Sequence, residues 1–283
     1  MPMKDACETL WRAEPHNHFV QFYKADEPAL NRNVAGFLWD GLLKGDGLLV
    51  IATPSRLESL ADRLARLGAD VDLALRERQL TMLEAHEILA RIELHGEPDW
   101  ERFEEAIGEA LCLVRPRVAG AAVRVYGEVV GVLWEAGRTA AAFRVEEYWN
   151  RRLRDGGITL FCGYPIDVFA RDFHDDRVGD VLHAHTYVLP TGPNGNLKDC
   201  LQRAIDELLG ARAAGVHLSM QAAMPSWGVA MPEAESAILC LRSHIPDQAE
   251  RILALAQAYY QASQEATCTR MADSVPALPS LAA

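Results

Sequence analysis

The sequence predicts an α/β fold: a three-layer, mostly parallel sheet flanked by helices, followed by a C-terminal helical extension. Three observations carry this. Short apolar, β-branched or aromatic runs recur at 19–23, 48–52, 80–83, 121–126 and 158–162, separated by stretches of helical periodicity. The run Leu48–Ala52 is apolar throughout instead of alternating, as in a strand covered on both faces. The intervening stretches can hold the right-handed crossover helices that join parallel strands.

The elements follow in order. Residues 1–15 read as a loose leader, and Phe19–Tyr23 as a buried strand. Asp26 can cap a helix with Pro28 in its first turn, whose apolar face carries Leu30, Val34, Phe37, Leu38 and Leu42; Lys44-Gly45-Asp46-Gly47 stops it. Leu48–Ala52 is the second strand, and Thr53 caps a helix from Pro54 to about Leu67. A short helix (Val71–Arg78), a strand (Leu80–Leu83), a helix (Glu84–Ile92) and a polar bend (Glu93–Asp99) lead to the amphipathic stretch Trp100–Val114. Ala121–Tyr126 is a strand, Val129–Glu135 and Arg138–Leu153 are helices divided by Gly137, and Ile158–Cys162 is a strand. After Asp167 the rhythm changes: a helix (Asp172–Ala184), a strand (His185–Leu189), a breaker (Thr191–Gly195), an amphipathic helix (Leu197–Leu209), an irregular stretch (Ser219–Met231), and helices at Pro232–Leu241 and Pro246–Ala262. This divides the chain into a leader (1–15), an α/β domain (16–190), a helical extension (191–265) and a disordered tail (266–283).

Composition narrows the function classes. With 283 residues, 49% of them apolar, the chain can bury a sizeable core. A net charge of −12, from 28 basic and 40 acidic residues, disfavours a nucleic-acid surface, which needs clustered Lys and Arg. No apolar run reaches the roughly 18 residues of a membrane span, and the N-terminus lacks the apolar segment of a secretion signal, so a cytoplasmic location is expected. The six cysteines are scattered without a CxxC pair, which favours free thiols over a disulfide framework.

In an open parallel sheet, ligands bind beyond the C-terminal ends of the strands. The turn after the first strand, Lys24-Ala25-Asp26-Glu27-Pro28, is acidic and lacks the glycines and Gly-Lys-Ser/Thr ending that cradle phosphates. The groups at the strand ends include Tyr23, Thr53, Glu84, Tyr126 to Glu128, and Cys162 to Tyr164. They read as a pocket with a few convergent polar groups more than as a catalytic triad. Glu128 follows a glycine at a strand end, where a catalytic or metal-coordinating acid would sit in an ATPase; it equally suits the N-terminus of the next helix by the helix dipole. Trp149 and Asn150 either line this pocket or, for the tryptophan, fill core. His16/His18 and His183/His185 are i, i+2 pairs; His18, His183 and His185 with Cys162 have the chemistry of a zinc or iron site, but no HExxH or paired CxxC supports one. No Gly-x-Ser-x-Gly elbow and no strand-following GxGxxG occurs.

Six segments, in order, resemble the MEDS (methanogen/methylotroph, DcmR sensory) domain family: His18–Tyr23, Gly45–Pro54, Tyr126–Val130, Leu133–Glu135, Glu146–Asn150 and Cys162–Pro165. The resemblance spans about residues 16–190. The stretch from the first helix to Leu83 also resembles the circadian-clock and recombinase (RecA/KaiC-like) ATPase superfamily, but without its phosphate loop. The resemblance implies a non-catalytic signal-input protein that binds a small ligand and passes the signal to a histidine kinase, sigma-factor regulator or transcription factor. The ligand-binding residues expected from this reading are His18, Tyr23, Thr53, Glu128, Trp149, Asn150, Cys162 and Tyr164, with no cofactor. A homodimer is left open. The alternatives are a residual nucleotide-dependent hydrolase or transferase using Glu128, and a pure protein-interaction module.

Overall fold

The computed structural model describes residues 10, 14–24, 28–192, 196–222 and 228–273. They divide into two compact units: the described residues of 1–191 with those of 226–235, and the described residues of 192–225 with those of 236–283.

The first unit contains, in chain order, β1 (His18–Phe22), α1 (Pro28–Lys44), β2 (Gly47–Ala52), α2 (Pro54–Arg66), α3 (Val71–Arg76), β3 (Leu80–Glu84), α4 (Ala85–Ile92), the two-residue strands β4 (Glu93–Leu94) and β5 (Glu97–Pro98), α5 (Trp100–Leu113), β6 (Val123–Gly127), α6 (Val129–Glu135), α7 (Thr139–Leu153), β7 (Ile158–Tyr164), α8 (Asp175–Ala184) and β8 (Tyr187–Leu189). Six strands form one sheet in the order β3-β2-β6-β7-β1-β8. Every neighbouring pair is parallel.

Burial follows from this arrangement. Each residue of β1, β2 and β7 is buried, because helices cover both faces. Successive side chains alternate between the faces. One face carries Phe19, Leu48, Val50, Tyr126 and Phe161, packed with Leu30, Val34, Phe37 and Leu38 of α1 and Leu60 and Leu64 of α2. Leu10 joins this cluster. The other face carries His18, Cys162 and Tyr164, which meet Glu146 of α7. There, α6 lies close to β7 at Gly131, where a Cβ would stand 2.8 Å from the Gly163 carbonyl oxygen.

Arg124 of β6 is a buried charge on the α1 face. Its Nε donates to Asp46 at 2.8 Å, its Nη1 to the Phe37 carbonyl at 2.8 Å and its Nη2 to Asp40 at 2.7 Å. A buried guanidinium survives only with its donors met in this way.

The expected strands and most helices form, with small shifts at their ends. The bend at 93–99 is a small antiparallel hairpin whose turn residues, His95 (φ 54°) and Gly96 (φ 81°), are both left-handed, the geometry of a type I′ turn. The proposed cap Asp26 lies outside the described residues. Thr53 occupies an N-cap but makes no side-chain cap bond, because its hydroxyl is used elsewhere.

After the second unit begins, the chain returns to the first. Ala230 bridges Tyr187 in parallel: its carbonyl accepts from the Val188 N–H at 2.8 Å, and its N–H donates to the Thr186 carbonyl at 3.0 Å. Glu235 then accepts at one oxygen from the Thr191 N–H (2.8 Å) and hydroxyl (2.7 Å). Its other oxygen is buried without a partner among the described residues.

The second unit contains α9 (Asn196–Leu209), a 3₁₀ turn (Gly210–Arg212), α10 (Ala213–Ala222), and most of α11 (Glu233–His244) and α12 (Pro246–Asp273). α9 and α12 pack together, with Arg203 stacked 3.9 Å from the Tyr259 ring centroid and Asn196 donating to Ser263 at 2.7 Å. The irregular stretch read at 219–231 is helical through Ala222, and 223–227 lie outside the described residues. α12 runs to Asp273, past the helix end expected at Ala262; no glycine or proline falls between Asp247 and Val275 to stop it. Residues 274–283 lie outside the described residues. No helix among the described residues is long and apolar enough to cross a membrane.

Burial raises the Glu235 pKa above the ordinary carboxylate value, against the hydrogen bonds from Thr191. A raised folded-state pKa means that stability is greatest below the unfolded-state pKa and is lost as pH rises through the folded one. Glu235→Gln keeps an acceptor for Thr191 and removes the charge. The variant is expected to be more stable than the wild type at about pH 8, with the difference vanishing toward about pH 4, by urea unfolding at each pH.

Candidate functional site

Two polar clusters sit on opposite faces of the sheet. The first lies at the C-terminal ends of β2 and β6, neighbours whose following helices start toward different faces; such a switch point opens a crevice in a parallel sheet. Glu128, immediately after β6, is 2% exposed. Its Oε2 accepts from the Thr53 N–H (3.0 Å) and hydroxyl (3.1 Å), and its Oε1 from Arg56 Nε (2.6 Å) and the Tyr126 hydroxyl (2.8 Å). Arg56, on the first turn of α2, also donates to Asn31 Oδ1 at 2.5 Å and lies 5.1 Å from the Tyr23 ring centroid. Asn31 in turn donates to Ser59 at 3.0 Å.

The electrostatics follow from burial around this one ion pair. Burial, then the Glu128 carboxylate, push the Tyr126 phenol well above its ordinary value. The same two causes raise Tyr23. Burial works against the Arg56 charge, but Tyr126 and Glu128 outweigh it and raise its pKa. At neutral pH the Arg56 guanidinium is charged and both phenols are neutral.

The second cluster lies under α7. The His18 Nε2 stands 3.3 Å from Glu146 Oε2 and 3.4 Å from Cys162 Sγ. His185 Nε2 stands 3.5 Å from Glu146 Oε1, which also accepts from the Tyr164 hydroxyl at 2.8 Å. Cys162 Sγ is 3.9 Å from Glu146 Oε2. All four are buried, and the two imidazole centroids are 3.9 Å apart. Burial and the adjacent His18 lower the His185 pKa to about 3, so its ring is neutral. Burial, then Glu146, push the Cys162 thiol well above its usual value.

The residues expected to form one site therefore separate. Tyr23, Thr53 and Glu128 belong to the strand-end cluster; His18, Asn150, Cys162 and Tyr164 belong to the cluster under α7. Trp149 is core, its ring edge-to-face with Phe103 at 5.2 Å. His183 is exposed, with Nδ1 2.7 Å from the Gly179 carbonyl oxygen.

A family model matches residues 17–186: MEDS, the methanogen/methylotroph, DcmR sensory domain. The chain belongs to the MEDS family. MEDS is a sensory domain family, consistent with a role in signal input. No curated relative matches the chain.

Arg56 and Glu146, the charged partners at the centre of the two clusters, were not singled out from sequence as site residues. Arg56 was hidden in an ordinary amphipathic helix, although a cation one turn beyond a strand end is where a crevice acid finds its partner. Glu146 gave a clearer signal: it is an acid on the otherwise apolar stripe Ala142, Val145, Trp149 and Leu153.

Removing one partner of a buried pair leaves an uncompensated charge. Arg56→Ala is therefore expected to lower unfolding free energy by about 3 kcal/mol, and Arg56→Ala/Glu128→Gln to recover part of the loss, read from urea unfolding curves of unchanged slope.

Proposed function

We propose that this MEDS protein is a non-catalytic signal-input protein. A small organic molecule bound at the strand ends, beside Tyr23, Thr53, Arg56 and Glu128, biases its engagement with a signalling partner such as a histidine kinase, a sigma-factor regulator or a transcription factor. The saturation of Glu128 carries the non-catalytic half of the reading. A general base needs a free lone pair within reach of the proton it takes. Both Glu128 oxygens already accept two hydrogen bonds, one set including the Arg56 guanidinium. The sequence Lys24-Ala25-Asp26-Glu27-Pro28 contains neither the glycines nor the Gly-Lys-Ser/Thr ending that hold a nucleotide's phosphates.

The same geometry supports a receptor. Arg56 offers a charge-assisted donor to a ligand carboxylate or carbonyl, and the Tyr23 ring offers an apolar wall beside it. A ligand acceptor that takes Arg56 from Glu128 disturbs α2 and the end of β6 together. It shifts the protein's state only by its differential affinity for the two arrangements, about 1.4 kcal/mol for each tenfold.

Native mass spectrometry of the purified full chain should show a co-purifying small molecule, retained by the wild type. Arg56→Ala and Tyr23→Ala should weaken its retention by about 10–100-fold, or roughly 1.4–2.7 kcal/mol. Phosphate release from magnesium–ATP should be absent. Turnover that disappears in Glu128→Gln would replace this reading with that of a hydrolase.

A further inference from the structure

We propose that His18, Glu146, Cys162 and His185 bind one divalent ion of the zinc class inside the MEDS domain. The proposal shares no residue with the strand-end site and stands apart from the ligand reading given above.

His18 Nδ1 lies 3.0 Å from both Asn150 Oδ1 and the Ala184 carbonyl oxygen, and Asn150 Nδ2 donates to that carbonyl at 2.9 Å, which fixes the amide's orientation. Two acceptors require the hydrogen on Nδ1. His185 Nδ1 likewise faces an acceptor, the Val181 carbonyl oxygen, at 2.6 Å. With each Nδ1 turned to a carbonyl or amide oxygen, both Nε2 atoms face the Glu146 carboxylate, His18 at 3.3 Å from Oε2 and His185 at 3.5 Å from Oε1. His185 Nε2 is fully buried and has no hydrogen-bond partner among the described residues. The Tyr164 hydroxyl already serves Glu146 Oε1. Two imidazole nitrogens, a carboxylate and a thiol converge on one buried point, with His185 Nε2 left unpaired there.

The distances match a bound cation. The four ligand atoms all lie within 4.8 Å of one another; His18 Nε2 is 3.3 Å from Glu146 Oε2 and 3.4 Å from Cys162 Sγ, Sγ is 3.9 Å from that oxygen, and His185 Nε2 is 3.5 Å from the other, Oε1. A tetrahedral ion with zinc–nitrogen, zinc–oxygen and zinc–sulfur bonds of ordinary length has edges of about 3.3–3.6 Å. Two imidazoles, a thiolate and a carboxylate form a borderline-soft donor set, suited to zinc and unsuited to the all-oxygen shells of magnesium or calcium. Charge agrees too. Binding releases the Cys162 thiol proton to solvent; thiolate plus carboxylate then balance a divalent ion, and the buried site is neutral. The carbonyls and Asn150 that hold the Nδ1–H groups are the outer partners that orient metal-bound histidines.

Such an ion would tie β1, β7, α7 and the junction between α8 and β8 at one point. With four protein ligands it has no open position for a reacting water, so it is a resident ion and not a catalytic one.

The test uses the full chain without an affinity tag, purified under reducing conditions and analysed for metal by plasma mass spectrometry. About one zinc per chain is expected. After exchange, cobalt(II) should show a thiolate-to-metal charge-transfer band and the intense visible bands of four-coordinate cobalt. Cys162→Ser should abolish the charge-transfer band. Asn150→Ala, which leaves every ligand in place, should weaken zinc binding by about 10–100-fold. His183→Ala, Arg56→Ala and Glu128→Gln should keep the ion, so this result and the strand-end result are read separately. A wild-type chain that is folded by circular dichroism yet takes up neither zinc nor cobalt would overturn the proposal. Wild-type zinc content in folded Cys162→Ser/His185→Ala would do the same.

Discussion

A sheet covered on both faces has no water to offer a charge, and this constraint organises the protein. Each ionisable group that the strands or their ends carry inward must be neutralised by a partner from the covering helices. Arg124 is answered by Asp40 and Asp46 and Glu128 by Arg56, while Glu146, carried in by α7, meets the Tyr164 hydroxyl and the Cys162 thiol. These polar points connect strands to helices at fixed positions, where apolar packing alone would tolerate small slips. They lie on both faces, so both helical layers are keyed to the sheet.

The two clusters differ in how completely they are satisfied. At the strand ends every lone pair of Glu128 that the structure describes has a donor, and the pair is accessible through the partly exposed Arg56. Under α7 solvent is excluded and His185 Nε2 is left without a hydrogen-bond partner among the described residues. A satisfied, accessible pair is suited to exchange with a ligand acceptor. A closed cluster of two imidazoles, a carboxylate and a thiol has the donor set of a cation site. The MEDS domain thus carries a partly accessible ion pair at its strand ends and a closed polar cluster in its interior.

Much of this was legible in the sequence. Continuous apolar runs such as Leu48–Ala52 mark strands buried on both sides, and their spacing implies parallel pairing. The strand ends led directly to Tyr23, Thr53 and Glu128. What the pattern did not contain was the third dimension. His18, Cys162 and Tyr164 stand near strand ends in sequence as Thr53 does, but alternation along β1 and β7 turns them to the other face. The choice between His183 and His185 depends on where α8 stops: one lies on its exposed side, the other one step past its end. Thr53 illustrates a different limit. Its place at a helix start was read correctly, but a hydroxyl that can cap a helix can also serve a buried carboxylate, and only the fold decides which. At the far end, periodicity understated α12 because a helix without a breaker continues after its apolar stripe fades.

The return of the chain to the sheet at Ala230 has a practical consequence for anyone dissecting this protein. The family match ends at residue 186, one position before β8, yet the compact first unit includes β8 and the described part of 226–235. A fragment cut at the end of the match would strip β1 of its outer neighbour. His18–Phe22, buried along its whole length in the intact chain, would then present a bare row of amides and carbonyls with apolar side chains, an open template for strand addition between molecules. Self-association of such a fragment would report the missing border of the sheet and not the behaviour of the native sensor.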